Sequence, residues 1–322
     1  MNTLKSNRRQ FMRGMAGAAV SCLASRSLRA AVDVAPATDT GWIRLGAPVF
    51  DAPADPDALA RAHRKLGYRA AYCPSVSLDD KERIRDIERA FAEQDVVIAE
   101  VGRWCNLLDA DDGRRAENLQ RVIDGLALAD EVGARCCVDI AGSYSKTAWY
   151  GPHPDNLSDE FFDAIVENAR KIVDAVQPKR AKFCYEMMGW ALPDSPDSYV
   201  RLIKAVDRDG FAVHLDPCNL INSPDRFYHN QRLLDECFDK LAPWIASCHA
   251  KDVTWDVEMQ VHFREVVLGT GSLDYTTYLR RLAALPQQPP LMIEHMQGAG
   301  QYDRSREFLL NKGKEIGVGF GL

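Results

Sequence analysis

Four residues with metal-binding side chains each follow a short apolar stretch in the second half of the chain: Glu186, Asp216, His249 and Glu294. A charged group at the end of an apolar strand loses hydration, at a cost of several kcal/mol unless a counter-charge lies nearby. Three carboxylates and one imidazole favour Mn²⁺, Mg²⁺ or Co²⁺, with Zn²⁺ as a further option, over an ion that prefers thiolates. Each residue alone could instead cap a helix or form an ion pair. Together they predict a site for one divalent cation.

The stretches around these residues belong to a regular alternation of short apolar and longer amphipathic segments, which indicates strands and helices. The predicted strands are 42–49, 68–73, 96–101, 134–140, 182–187, 211–216, 245–253 and 290–295. The predicted helices are 55–66, 79–93, 115–132, 159–176, 197–207, 226–241, 275–285 and 304–316. Eight strand–helix units predict a single α/β domain, the closed (β/α)8 or TIM barrel. An open doubly wound sheet is the alternative, but no glycine-rich phosphate loop follows the first strand.

A parallel barrel would bring the four residues together. All of its strands end at one face, and active sites of such barrels lie at that face. Glu186, Asp216, His249 and Glu294 lie at the ends of the last four predicted strands. Four such residues on four consecutive strands are hard to attribute to chance, so the fold prediction and the metal prediction support each other.

Four short motifs carry these residues: Tyr185-Glu186, His214-Leu215-Asp216-Pro217, His249-Ala250-Lys251-Asp252 and Ile293-Glu294. A fifth motif, Gly269-Thr270-Gly271-Ser272-Leu273-Asp274, follows the third. They resemble the motifs of the xylose-isomerase-like TIM-barrel superfamily, over about 42–318. That superfamily includes tagatose 3-epimerase-like enzymes, inosose dehydratases, hydroxypyruvate isomerases and the endonuclease IV branch. The resemblance implies that Glu186, Asp216, His249 and Glu294 bind one divalent metal ion. It also implies that Glu186 and Glu294 act as the catalytic acid–base pair.

The activity that the resemblance implies is that of a metal-dependent sugar isomerase or epimerase, which abstracts a proton beside a carbonyl and forms an enediolate. Two departures argue against a free ketohexose 3-epimerase. Asn219 and Trp255 stand where tagatose-type epimerases have a histidine and an arginine that grip the substrate. A metal-dependent lyase or dehydratase acting on a 3-keto-glycoside or an inosose is the alternative, since elimination begins with the same proton abstraction. A barrel that only binds sugar is a third interpretation.

Seven residues in the predicted loops and strand ends are candidates for contacting a carbohydrate: Trp104, Asn106, Trp149, Asn219, Lys251, His262 and Arg264. Aromatic side chains at a barrel mouth stack on sugar rings, but they also pack as lids. Lys251 could contact the substrate, or it could pair with Asp252 as part of the structure. His214 and His295 stand near predicted ligands in the sequence and could pack or orient them.

The charge of the chain argues against a nucleic-acid partner and therefore against phosphodiester cleavage. The chain has 40 basic and 46 acidic residues, and residues 1–37 contain six of the basic and one of the acidic ones. The remaining 34 basic and 45 acidic residues give a net charge of −11. Binding to DNA depends largely on lysine and arginine at phosphates. The expected partner is a small carbohydrate, and a homo-oligomer is compatible with the sequence.

Residues 1–37 are predicted to be a twin-arginine-type signal peptide and linker, and 38–322 the barrel. The segment Asn7-Arg8-Arg9-Gln10-Phe11-Met12-Arg13 resembles the twin-arginine motif, and the stretch of small residues at 14–24 is too short to span a bilayer. A disordered basic tail is the alternative. The signal implies the twin-arginine export machinery as a partner and a periplasmic or otherwise exported protein. It also implies a mature chain without an integral membrane segment and a neutral sugar as substrate.

Overall fold

The computed structural model describes residues 41–321 and has a closed barrel of eight parallel strands at its centre. The barrel strands are β1 (Leu45–Gly46), β2 (Ala70–Tyr72), β3 (Val97–Gly102), β4 (Cys136–Ile140), β5 (Lys182–Glu186), β6 (Phe211–Leu215), β7 (Ile245–Ala250) and β10 (Leu291–Ile293). Outside the barrel, β8 (Asp252–Trp255) pairs with β9 (Phe263–Val266). The predicted (β/α)8 barrel is confirmed. The predicted signal peptide at 1–37 lies outside the described residues.

Helices surround the barrel, and side chains that accept hydrogen bonds from free backbone N–H groups fix where most of them begin. They are α1 (Pro56–Lys65), α2 (Lys81–Glu93), α3 (Asp112–Val132), α4 (Asp159–Val176), α5 (Pro196–Val206), α6 (Pro224–Tyr228), α7 (Asn230–Leu241), α8 (Tyr275–Ala283) and α9 (Gly298–Ile316). Ser195 and Ser198 form a reciprocal capping box at the start of α5. No helix within residues 41–321 has both the length and the apolar character of a membrane span.

Alternation along the strands arranges the side chains inside the barrel in layers. Ala212, His214 and Asp216 are two residues apart on β6 and just beyond it, so they point to one face at successive levels. Ala212 packs in an apolar cluster with Val138 and Cys184. His214 and Asp216, in contrast, are fully buried polar groups. Polar side chains thus occupy the barrel interior between an apolar layer and the C-terminal end.

The seventh predicted strand, 245–253, is wrong at its end, because the structure divides it at Lys251 into β7 and β8. β8 leaves the barrel and pairs antiparallel with β9. The Asp252 side chain explains the division, since it accepts hydrogen bonds from the backbone N–H groups of Gly269, Gly271 and Leu273 at 2.9–3.0 Å. This carboxylate holds the loop after β9 against the end of β7.

Candidate metal centre and substrate cavity

The structure brings the four predicted metal ligands together at the C-terminal end of the barrel. His249 Nδ1 lies 3.0 Å from Glu186 Oε1, 3.1 Å from Glu294 Oε2 and 3.6 Å from Asp216 Oδ2. One potential donor atom from each of the four residues lies within 4.8 Å of the others. We refer to Glu186, Asp216, His249 and Glu294 as the mouth cluster. Donor atoms this close together could hold one cation.

Two buried oxygen atoms of the mouth cluster accept no hydrogen bond from the described residues. Asp216 Oδ1 accepts hydrogen bonds from the backbone N–H groups of Cys218 and Asn219 at 3.1 and 3.3 Å. Asp216 Oδ2 and Glu294 Oε2 are buried and receive no hydrogen bond from the described residues. A buried acceptor without a donor costs free energy. The residues therefore fit a divalent cation such as Mn²⁺, Mg²⁺ or Co²⁺, which accepts oxygen and imidazole ligands.

Lys251 adds a positive charge beside the mouth cluster. Its Nζ lies 2.9 Å from Asp216 Oδ2 and 3.0 Å from Glu294 Oε2. Both distances allow an ion pair, but the angles at these atoms do not allow a hydrogen bond. Burial disfavours the charged lysine, but the nearby carboxylates outweigh burial and hold its pKa well above the ordinary value. Of the two roles considered for Lys251, pairing with Asp252 does not occur, because backbone N–H groups occupy the Asp252 carboxylate.

The three carboxylates of the mouth cluster differ in pKa. Burial raises the pKa of Glu186, against the opposing charges of Lys251 and His249. Burial also opposes the ionisation of Glu294, but His249 and Lys251 outweigh it and lower the pKa to about 2. The same two charges outweigh the burial of Asp216 and hold its pKa below the usual range. Asp216 and Glu294 are therefore ionised at neutral pH, as ligands of a metal must be.

A second polar group, which the sequence analysis did not predict, lies one layer deeper in the barrel. Glu100 of β3 is 1% exposed, and its carboxylate lies 3.0 Å from His214 Nε2, 3.1 Å from Ser247 Oγ and 3.0 Å from His249 Nε2. We refer to Glu100, His214 and Ser247 as the inner cluster. Burial opposes the ionisation of Glu100, but His249 and His214 outweigh it and hold the pKa below its usual range. A single acidic residue within the apolar stretch 97–101 was the signal in the sequence.

A cavity of about 440 Å³ opens above the mouth cluster. Four of the predicted substrate residues line it: Trp104, Trp149, Asn219 and Lys251. Asn219 Nδ2 also donates a hydrogen bond to Glu186 Oε1 at 3.2 Å, so it orients a predicted metal ligand. Five further residues line the cavity: Ile140, Tyr150, Met188, Glu265 and His295. The cavity therefore combines an apolar, partly aromatic wall with a polar floor.

A family model described as xylose isomerase-like TIM barrel matches residues 60–312. The chain belongs to the xylose isomerase-like TIM barrel family. No curated protein matches the sequence. The family relationship agrees with the resemblance drawn from the motifs around Glu186, Asp216, His249 and Glu294.

Solved structures of other proteins share the fold. A xylose isomerase-like TIM barrel protein from Mycobacterium smegmatis in complex with magnesium is 19% identical, with a TM-score of 0.59 over 85% of this chain and 97% of that chain. The 3-keto-D-glucoside 4-epimerase from E. coli is 14% identical, with a TM-score of 0.59 over 84% and 99%. D-psicose 3-epimerase with D-tagatose from Clostridium cellulolyticum H10 is 14% identical, with a TM-score of 0.57 over 87% and 97%. At these identities the likeness is one of fold.

In this xylose isomerase-like barrel, three predicted substrate residues lie away from the cavity: Asn106, His262 and Arg264. Asn106 is buried in a loop, where Nδ2 donates to Ser143 O at 2.9 Å and Oδ1 accepts from two backbone N–H groups at 3.0 Å. His262 and Arg264 are more than half exposed and lie beside Asp256 at 3.4 and 2.7 Å. The hairpin of β8 and β9 carries both residues away from the barrel mouth.

His295 is a member of the cavity wall with an unusual backbone. It follows Glu294 directly and has a φ of 59°, in the left-handed region that residues with a β-carbon rarely adopt. Its Nδ1 lies 2.8 Å from Glu265 Oε2, and its Nε2 lies 3.5 Å from Glu294 Oε2. The left-handed turn directs an imidazole into the cavity of this xylose isomerase-like barrel beside the mouth cluster.

Proposed function

We propose that this protein is a divalent-metal-dependent isomerase or epimerase of a neutral sugar or sugar derivative, acting by proton abstraction beside a carbonyl group. The observation that carries the proposal is the mouth cluster at the cavity floor, where Asp216 Oδ2 and Glu294 Oε2 are buried and accept no hydrogen bond from the described residues. Glu186, Asp216, His249 and Glu294 would hold one ion, Mn²⁺, Mg²⁺ or Co²⁺. When bound, such an ion polarises a carbonyl and acidifies the adjacent C–H bond.

The side chains of the protein supply the proton transfers in this proposal. Glu186 and Glu294 approach the same point of the cavity floor, since each has an oxygen within 3.1 Å of His249 Nδ1. One glutamate removes the proton, and the other returns it on the same or the opposite face. Lys251, whose Nζ lies 3.3 Å from Asn219 Oδ1, places a positive charge where a substrate oxygen becomes negative.

The cavity lining favours an uncharged substrate. Lys251 is the only lysine or arginine among the described residues that line the cavity, and its charge already faces Asp216 and Glu294. Recognition of phosphate or carboxylate groups generally uses arginine or lysine side chains that are available to the ligand. Trp104 and Trp149 offer flat apolar surfaces for the C–H faces of a sugar ring. We therefore propose a neutral carbonyl sugar rather than a sugar phosphate.

Two of the three solved structures described above are named as sugar epimerases, which supports this class of reaction. The second candidate function is a lyase or dehydratase acting on a 3-keto-glycoside or an inosose. The cavity of about 440 Å³, which lies within the roughly 300–1,000 Å³ typical of small-molecule sites, has room for such a substrate. Removal of the same proton would form a C=C bond and expel the group on the next carbon, which leaves with a proton.

We also propose that the protein is exported by the twin-arginine machinery to the periplasm or beyond. The basic segment around Arg8 and Arg9 supports this localisation. Fractionation of cells that produce the full chain, and of cells that produce an R8K/R9K variant, tests it. We expect a shortened wild-type protein outside the cytoplasm and an uncut variant inside it. An uncut wild-type protein in the cytoplasm would contradict export.

The proposed reaction is tested with purified protein that is stripped of metal by a chelator and reloaded with Mn²⁺, Mg²⁺ or Co²⁺. Neutral carbonyl sugars and 3-keto-glycosides are incubated with it in deuterated water, and the products are followed by NMR. We expect turnover with deuterium beside the carbonyl, lost on chelation and restored by metal. A protein that neither binds nor responds to a divalent ion would contradict the proposal.

The E186Q variant distinguishes an enzyme from a barrel that only binds sugar. The amide keeps the size of the side chain but cannot transfer a proton as a carboxylate does. We expect E186Q to lose turnover while calorimetry still detects binding of the substrate to the metal-loaded protein. Sugar binding by the wild type with no turnover of any tested sugar would indicate a binding protein instead.

A further inference from the structure

We propose that Glu100 is a positioning residue, which fixes the tautomer of His249 and so makes Nδ1 the nitrogen that binds the metal. The inference rests on the metal centre of the proposed function but not on its reaction. The two ring nitrogens of His249 have different surroundings. Nδ1 faces the three carboxylates of the mouth cluster at 3.0–3.6 Å, whereas Nε2 lies 3.0 Å from Glu100 Oε1.

The contacts of Glu100 decide which nitrogen of His249 carries the proton. Glu100 Oε2 faces His214 Nε2 at 3.0 Å and Ser247 Oγ at 3.1 Å, and Oε1 faces His249 Nε2 at 3.0 Å. An ionised carboxylate only accepts hydrogen bonds, so each of these partners must supply a hydrogen. A metal ion held by the mouth cluster would take the place of a proton on Nδ1, which faces the cluster, and His249 would then be neutral with its remaining proton on Nε2 toward Glu100. The other tautomer would turn a lone pair toward Glu100 and a proton toward the metal position.

The position of Glu100 in the barrel allows it to hold the ring of His249 from the opposite wall. The strands follow in the closed order β1, β10, β7, β6, β5, β4, β3, β2, so three strands separate β3 from β7 in either direction. Glu100 is 1% exposed and His249 is 0% exposed. Solvent therefore does not compete for the bond between them. Partners of this kind orient a ligand histidine and tune its affinity for metal.

The inner cluster could be read as a second metal site, because Glu100, His214 and His249 have potential donor atoms within 4.8 Å of one another. The hydrogen bonds argue against this interpretation. Both oxygens of Glu100 have partners among the described residues, and only His214 Nδ1, on the other side of its ring from Nε2, has none. An ion there would have to replace the proton on His249 Nε2. A positioning role accounts for all three contacts of Glu100.

The first test compares metal binding by the full-length wild type, E100Q and S247A. The amide of E100Q keeps the shape of the side chain. Because an amide can donate as well as accept, a hydrogen bond to His249 no longer requires a proton on Nε2. We expect its Kd for Mn²⁺, measured by EPR titration, to rise about 10–100-fold. S247A is the matched control, since it removes a donor from the same carboxylate without touching His249. We expect its Kd to stay within about threefold of the wild type, because both imidazole contacts remain.

Thermal unfolding with a chelator present separates positioning from folding. We expect E100Q and S247A to lose similar stability, so that the weaker metal binding of E100Q does not follow from its fold. An E100Q protein that binds Mn²⁺ as tightly as the wild type would overturn the inference. Equal weakening of Mn²⁺ binding in E100Q and S247A would also overturn it, because the effect would then not pass through His249.

The second test identifies the tautomer directly, by NMR of isotope-labelled histidine in the Zn²⁺-loaded protein. We expect His249 of the wild type to have a proton on Nε2 and the metal on Nδ1. Metal on Nε2 would overturn the inference, so this measurement can refute it even if E100Q does not fold. A wild type that binds no divalent ion would overturn the metal centre and the inference together. Metal binding with the expected tautomer but no sugar turnover would contradict the proposed reaction alone.

Discussion

The mouth cluster and the inner cluster both combine carboxylate and imidazole groups and meet at His249, yet they differ in how many hydrogen-bond donors surround their carboxylates. In the inner cluster, three donor atoms surround the two oxygens of Glu100. In the mouth cluster, three carboxylates surround one imidazole nitrogen and Lys251, and two buried oxygens receive no hydrogen bond. Protein groups alone satisfy both carboxylate oxygens of the inner cluster, whereas the mouth cluster has oxygens that a cation could bind. The balance of donors and acceptors, rather than residue type, distinguishes the two.

The two clusters also differ in access to the cavity. The Glu294 side chain is 16% exposed and lines the cavity, whereas Glu100 is 1% exposed and does not. A substrate can therefore reach the mouth cluster but not the inner one. We expect substitutions in the mouth cluster to change turnover, and substitutions in the inner cluster to change stability or metal affinity.

The largest expected effect is on turnover, in E294Q. The amide keeps the size of Glu294 but removes a group that would transfer a proton, so kcat should fall about 10³-fold. The free energy of unfolding without metal should fall, because His249 and Lys251 hold the pKa of Glu294 at about 2 and the ionised carboxylate therefore stabilises the folded state at neutral pH. Steady-state kinetics and urea unfolding with a chelator measure the two effects. The control is E117Q on the exposed side of α3, which should change neither; a normal kcat in E294Q would contradict the assignment.

The second-largest effect is expected in H214L, a substitution in the inner cluster that should lower the stability of the protein. Leucine removes a donor from Glu100 Oε2 and leaves a buried carboxylate with fewer partners. We expect the free energy of unfolding to fall by about 1–3 kcal/mol, the usual cost of an unmatched buried polar group. At saturating metal and substrate, kcat should change far less than in E294Q. If urea unfolding showed H214L to be as stable as the wild type, the inner cluster would not depend on matched hydrogen bonds.

The barrel and the convergence of the mouth cluster could be predicted because both follow from local patterns. The fifth predicted strand, 182–187, agrees with β5 (Lys182–Glu186) to within one residue. Since all strands of a parallel barrel run the same way, residues that end consecutive strands must lie near one another. No knowledge of the strand stagger was needed to bring Glu186, Asp216, His249 and Glu294 together.

The inner cluster and the hairpin could not be predicted, because they depend on contacts between distant parts of the chain. Glu100 and His249 are 149 residues apart, and whether they meet across the barrel depends on its stagger and tilt. Asp252 finds its backbone partners 17–21 residues later. Val253 and Trp255 resume the strand-like pattern directly after Lys251 and Asp252, so the sequence gives no sign that the strand leaves the barrel. His262 and Arg264 were assigned to the cavity for the same reason.

The smallest expected effect concerns the left-handed backbone at His295, beside the mouth cluster. Of the non-glycine residues with positive φ in residues 41–321, His295 alone lines the cavity. Left-handed backbone costs a residue with a β-carbon about 1 kcal/mol. In H295G this strain disappears, but the contact with Glu265 at 2.8 Å is lost and the unfolded chain gains freedom. We therefore expect a free energy of unfolding within about 1 kcal/mol of the wild type, together with a higher KM because the cavity wall loses a side chain. Asparagine tolerates the same φ, so H295N should raise the KM less than H295G does. An unchanged KM in H295G would mean that the strained residue serves the fold and not the cavity.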